Sequence, residues 1–169
     1  MHLLKYAALL LALLLYGQTG AAVPRIAVLD FELNDITSLP NTAQEQQRTS
    51  SFRFLLETQL GQYGQYQLVS ISSTEQARAN AGFGYLFRFD DIAARLAGTV
   101  GADWVVVAQH SKPSFLFSYL MVHLVDVKNP ARTARFDIEL KGNHQKVSER
   151  GVKALAEKIH SYLQANGLS

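Results

Sequence analysis

The segment Trp104 to Gln109, reading WVVVAQ, is an almost unbroken apolar run too short to be a typical helix. Its density of β-branched residues marks a strand, and the lack of alternation marks one covered on both faces. Arg25 to Leu33 (RIAVLDFEL) repeats the signal: it is bounded by Pro24 on one side and by Asn34 and Asp35 on the other, and reads as a buried first strand.

The rest of the chain supplies the covering elements. Asn34 to Asn41, with Pro40, reads as a loop. Thr42 followed three places later by Glu45 has capping-box spacing. The helix it opens carries Phe52, Leu55, Leu56 and Leu60 at helical intervals, up to Gly61. Tyr66 to Ile71 is a short strand, and Ser72 with Glu75 repeats the capping box. Asp90 or Asp91 can cap a third helix bearing Ile92, Leu96 and Val100. Phe115 to Val127 is a long strand, and Lys128 to Ala131 a turn. Arg132 to Lys141 then alternates, with Ala134, Phe136, Ile138 and Leu140 inward. A closing helix buries Val152, Leu155, Ala156, Ile159 and Leu163. The order β-α-β-α-α-β-β-β-α predicts an α/β fold. Its mixed sheet has about five strands, the early ones parallel with helical crossovers and the last two an antiparallel hairpin, with helices on the sheet faces.

The amino terminus reads as an export signal. His2 and Lys5 precede an apolar stretch from Tyr6 to Tyr16, and Gly20 and Ala22 suit a signal-peptidase site, so cleavage is expected before Val23. The stretch is 11 residues, short of the roughly 20 that span a bilayer, so stable membrane insertion is not expected. Residues 1–22 are thus a cleaved signal and 23–169 a single domain, placed in the periplasm. The absence of cysteine argues against a lipidated amino terminus and leaves stability to packing. Losing Lys5 with the signal leaves 15 basic against 14 acidic residues, scattered along the chain. That balance gives no field to attract nucleic acid.

RIAVLDFEL, the helix after it, GADWVVVAQ (with Gly101, Ala102 and Asp103) and the strand ending Val125-Asp126-Val127 together resemble a group of bacterial envelope domains. These are the amino-terminal domain of TolB, the periplasmic domain of the curli secretion protein CsgG, and the penicillin-binding-protein activator LpoB. The resemblance spans nearly all of residues 25–165. It implies a non-enzymatic accessory protein that binds another envelope or periplasmic protein. The chain departs from each: it has no propeller, no membrane-inserting hairpins and no lipidated cysteine, so no particular partner carries over.

Two sites compete for that role. Gly82 to Phe89 (GFGYLFRF) sets four aromatics and one arginine among glycines, a composition suited to recognition. Phe83, Tyr85, Phe87 and Arg88, with Lys112 projecting from a loop nearby, form the partner-binding candidate. A second aromatic cluster follows at Phe115, Phe117 and Tyr119. The alternative is a small-molecule or metal site at the end of the first strand: Asp30 and Glu32 project to one side and Asp35 follows in the loop, where ligands collect in α/β folds. The acids fall short of the haloacid-dehalogenase pattern, because Glu32 stands where its second Asp would be. A hydrolase is the third reading. It lacks support from a Gly-x-Ser-x-Gly elbow, and His110, His123, His144 and His160 show no zinc-site spacing. No catalytic residue, metal or cofactor is therefore assigned.

Overall fold

In the computed structural model, which describes residues 23–37, 42–143 and 145–166, the expected first strand is two. β1 (Arg25–Val28) and β2 (Glu32–Asp35) both run parallel to β4 (Trp104–Lys112), β1 beside its first half and β2 beside its second. Between them lie α1 (Ala43–Gly61), β3 (Gln67–Val69), α2 (Ser73–Ala79), the one-turn α3 (Tyr85–Arg88) and α4 (Asp90–Gly98). β5 (Phe117–Asp126), β6 (Thr133–Lys141) and α5 (Gln145–Asn166) follow. The sheet order is β3-β1-β4-β5-β6 with β2 against β4, making six strands of mixed direction. β4-β5 and β5-β6 are antiparallel. The expected loop 34–41 is therefore strand as far as Asp35, while 38–41 and the segment 1–22, expected to be a signal, lie outside the described residues. The strand expected to begin at Phe115 begins at Phe117, leaving Phe115 and Leu116 exposed in the connection.

β4 is buried on both sides, as its composition requires. Its even positions and those of β5 and β6 face α1 and α5. There Val106, Ala108, Leu120, Leu124 and Leu140 meet Phe52, Leu56, Leu60, Leu155 and Ile159. Each such aliphatic side chain contributes about 1.5–3 kcal/mol when fully buried. The odd positions face α2, α3 and α4, where Val105, Val107 and Val125 meet Leu86, Ala93, Ala94 and Ala97. In α4 the fully buried side chains are these alanines, while Ile92, Leu96 and Val100 pack around them partly exposed.

The two expected capping boxes differ. At α2 the box is complete: Ser72 Oγ accepts from the Glu75 amide, and the Glu75 carboxylate accepts from the Ser72 amide. At α1, Thr42 Oγ1 accepts from the Glu45 amide, but the Glu45 carboxylate turns inward to Arg48 and Lys112. Phe89, not Asp90 or Asp91, is the residue before α4, and Asp90 reaches instead to His123. Gly151 lies where α5 crosses β6. A Cβ there would collide with Leu140, so the glycine lets the helix seat against the strand.

Candidate functional site

The side-chain alternation along the first strand reverses between β1 and β2. Val28 pairs with Val106 and Glu32 with Gln109. Four steps along one strand thus match three along the other, and one extra residue is accommodated as in a β-bulge. Val28 lies in the α1/α5 core, whereas Glu32, an even position too, turns to the opposite face. The expected shared projection of Asp30 and Glu32 is overturned by that extra residue, and the three acids part company.

The Asp30 carboxylate accepts from Arg53 (3.1 Å) and from the Ser73 hydroxyl, and the Asp30 backbone bonds both ends of the Gln76 amide. Glu32 accepts from Asn80 Nδ2 (2.6 Å), the Gly84 amide (2.9 Å) and Gln109 Nε2 (3.3 Å). Asp35 accepts from the amide and hydroxyl of Thr37 and lies 3.5 Å from Lys112 Nζ. Burial raises its pKa, but the Thr37 bonds and the Lys112 ammonium outweigh that and hold it below the usual value. Each carboxylate is thus occupied by protein donors. Among the described residues no three His, Cys, Asp or Glu side chains gather as a metal site.

Glu32 joins the two candidate sites in a way the sequence did not reveal. Gly84 adopts φ +69°, and its amide points at the Glu32 carboxylate. A Cβ at Gly84 would crowd Gln109 Nε2 at 3.1 Å. This bond anchors the start of α3. Leu86 then plugs into the core and Phe87 stacks on His123, with centroids 4.1 Å apart. Phe83 is 56% exposed and Phe89 46%, with Arg88 exposed between them and Tyr85 half-buried against Phe89. Beyond α3 this face of the sheet has no covering element among the described residues. Phe117, Tyr119 and Met121 are only half-buried, and Arg135, Asp137, Glu139 and Lys141 are exposed.

Lys112 does not join that surface. It is the last residue of β4 rather than a loop lysine, and as an even position it faces α1. There it pairs with Asp35 and with Glu45 (3.3 Å), on the other side of the sheet from residues 82–89.

Around Lys112 lies a polar cluster that sequence reasoning missed. His110 is fully buried, and its Nδ1 and Nε2 lie 2.8 Å from Thr49 Oγ1 and 2.9 Å from Ser118 Oγ. The Thr49 hydroxyl gives its proton to the Glu45 carbonyl, so it accepts from Nδ1–H, and Nε2 accepts from Ser118. Burial, then the Arg48 and Lys112 charges, lower the His110 pKa to about 4, which keeps the ring neutral. Arg48 donates to Glu45, Ser148 and the Gly142 carbonyl. The signal available in the sequence was the alternation of β4, which places His110 and Lys112 on one face.

His123 donates to Asp90 (2.9 Å) and His160 stacks on Tyr63 at 3.9 Å. His144 lies outside the described residues.

Residues 24–159 match the family model DUF3280, described as a protein of unknown function (DUF2380). The chain belongs to this family. Among curated proteins none matches the sequence. Two solved structures share the fold of this DUF3280 chain. A hypothetical protein from Chlamydia trachomatis is 14% identical with a TM-score of 0.53, the match covering 86% of this chain and 100% of the other. Lipoprotein GNA1162 from Neisseria meningitidis is 14% identical with a TM-score of 0.50, covering 86% and 99%. The LpoB C-terminal domain from Salmonella enterica aligns at 18% identity and a TM-score of 0.43, covering 76% and 92%. Among the described residues of the DUF3280 chain, no helix is long and apolar enough to cross a membrane.

Proposed function

We propose that this domain is a non-enzymatic accessory protein of the bacterial periplasm that binds another envelope or periplasmic protein through the ridge at Phe83, Arg88 and Phe89. The supporting observation is that two large aromatics stand about half exposed on a turn pinned by the Glu32 carboxylate. Exposed aromatics normally cost solubility, and a rigid mount reduces the entropy lost on binding. An arginine between two aromatics is the composition that dominates interface energetics. The complementary partner surface is an apolar recess with a carboxylate at its rim to meet Arg88.

The test is affinity capture from a periplasmic extract, comparing the native protein with a variant carrying Phe83→Ser and Phe89→Ser. Phe87 is left intact because its ring supports the core through His123. A single protein enriched by the native chain, and rebinding it in purified form at least about tenfold more tightly than the variant, is the expected outcome. Equal recovery by two forms with matching circular dichroism would remove the ridge as the binding face.

A further inference from the structure

Two adjoining lobes, of about 200 and about 360 Å³, open on the α1/α5 side of the carboxyl ends of β2 and β4. They share Glu45, Arg48 and Asn143 in their walls, so they lie side by side as two arms of a cleft. Its size falls in the range of small-ligand sites, about 300–1,000 Å³. The smaller lobe reaches Phe115, whose side chain is 59% exposed in the connection before β5. The larger is walled by Gln44, Gln47, Ser51, Leu55 and Gln145.

The charges inside this cleft are balanced within the protein. Arg48 lies 3.1 Å from Glu45, and Lys112 is shared between Glu45 and Asp35. The histidine behind them is neutral. An anion or cation entering would lose hydration with no unpaired opposite charge among the described lining residues to meet it. What remains on offer is neutral hydrogen bonding: exposed amides on Gln44, Gln47 and Asn143, hydroxyls, and the guanidinium N–H groups of Arg48 beyond the three already engaged. An aromatic ring at one end adds an apolar platform. Amides that donate and accept at once, beside a ring, match a ligand that is hydroxyl-rich, uncharged and has apolar C–H faces.

We infer that this cleft is a binding site for a neutral oligosaccharide, distinct from the protein-binding ridge on the opposite face of the sheet. Phe115 stacks on a sugar ring, Gln47 and Asn143 bridge its hydroxyls, and Arg48 donates from the floor.

The experiment is a titration of the isotope-labelled protein, followed by the backbone amide resonances of Gln44, Arg48 and Gly142 in every form and by the side-chain amides of Gln47 and Asn143 in the native one. The probes are N-acetylglucosamine trimer and maltotriose, with galacturonic acid trimer and spermidine as charged controls. The expected result is a saturable shift of those amides by a neutral trimer and none by the charged probes. The double variant Gln47→Ala with Asn143→Ala, both exposed and outside the core, should bind about tenfold more weakly. The Phe83→Ser with Phe89→Ser variant should bind the sugar unchanged, which separates this site from the ridge. Absence of a shift with both neutral trimers at about 20 mM, stronger binding of a charged probe, or undiminished binding by the amide double variant would each overturn the proposal.

Discussion

The two faces of the sheet are covered by different kinds of helix. On one, α1 and α5 run 19 and 22 residues and bury large aliphatic side chains and Phe52. On the other, α2, α3 and α4 are 7, 4 and 9 residues long, the buried contacts of α4 are alanines, and no described residue covers the sheet beyond α3. Long helices with bulky residues supply most of the buried apolar area, so the first face carries the stability. The second face has less to lose and can present exposed aromatics without compromising the core.

That contrast breaks most directly with one truncation on each face. Leu56→Ala on α1 should cost about 3–5 kcal/mol and Leu86→Ala on α3 about 2 kcal/mol, read from urea unfolding midpoints. Equal losses would mean that the short helices hold the fold as firmly as the long ones.

The next effect confines itself to the first face. His110 is neutral when folded, with its pKa lowered to about 4, whereas the unfolded side chain titrates near 6.5. Between those values the unfolded state takes a proton that the folded state refuses. Stability is therefore complete above about pH 6.5 and falls as the pH drops toward 4, by about 3 kcal/mol. Unfolding midpoints at a series of pH values should show this slope, and His110→Gln should flatten it. Asp35 acts in a lower window, since its depressed pKa withdraws stability only as its carboxylate protonates.

The smallest effect tests the second face alone. Glu32→Gln removes the charge from the bonds to Gly84 and Asn80 and should cost about 1–2 kcal/mol. Amide hydrogen exchange should quicken across 84–89 while α1 and α5 keep their protection. Uniform quickening would show that the ridge is not an independent unit.

Much of this architecture was legible from periodicity. The alternation of β6 and the stripe on α5 translate into the inward positions, buried at Ile138, Leu140, Val152, Leu155 and Ile159 and half-buried at Ala134 and Phe136, because each element keeps one period along its length. The first strand was not so readable. RIAVLDFEL has no turn residue to announce the extra position between Val28 and Glu32, and only the length of β4 beside it reveals the mismatch. One shifted step then misplaced every acid after it. Lys112 was misjudged for a related reason: Pro113 and Ser114 suggested a loop, but pairing with Asp35 extends the strand to Lys112. The His110 cluster depends on residues 61 positions apart at Thr49 and on a hydroxyl from β5, contacts that no local pattern encodes. The ridge was legible as composition, but its exposure depends on Leu86 and Phe87 pointing inward while Phe83 and Phe89 do not.

Gly151 has a reach beyond its own packing. It acts as a spacer gauge, setting how closely the first half of α5 rests on β6 by having no side chain to hold them apart. Three residues earlier on the same helix, Ser148 grips Arg48 and forms part of the cleft wall. A methyl group at 151 would meet the end of the Leu140 side chain, so either that side chain or the helix has to give way, and a helix that gave way would carry Ser148 with it. The shape of a pocket built from glutamine, asparagine and arginine is thus tied, through the seating of one helix, to a residue outside its lining.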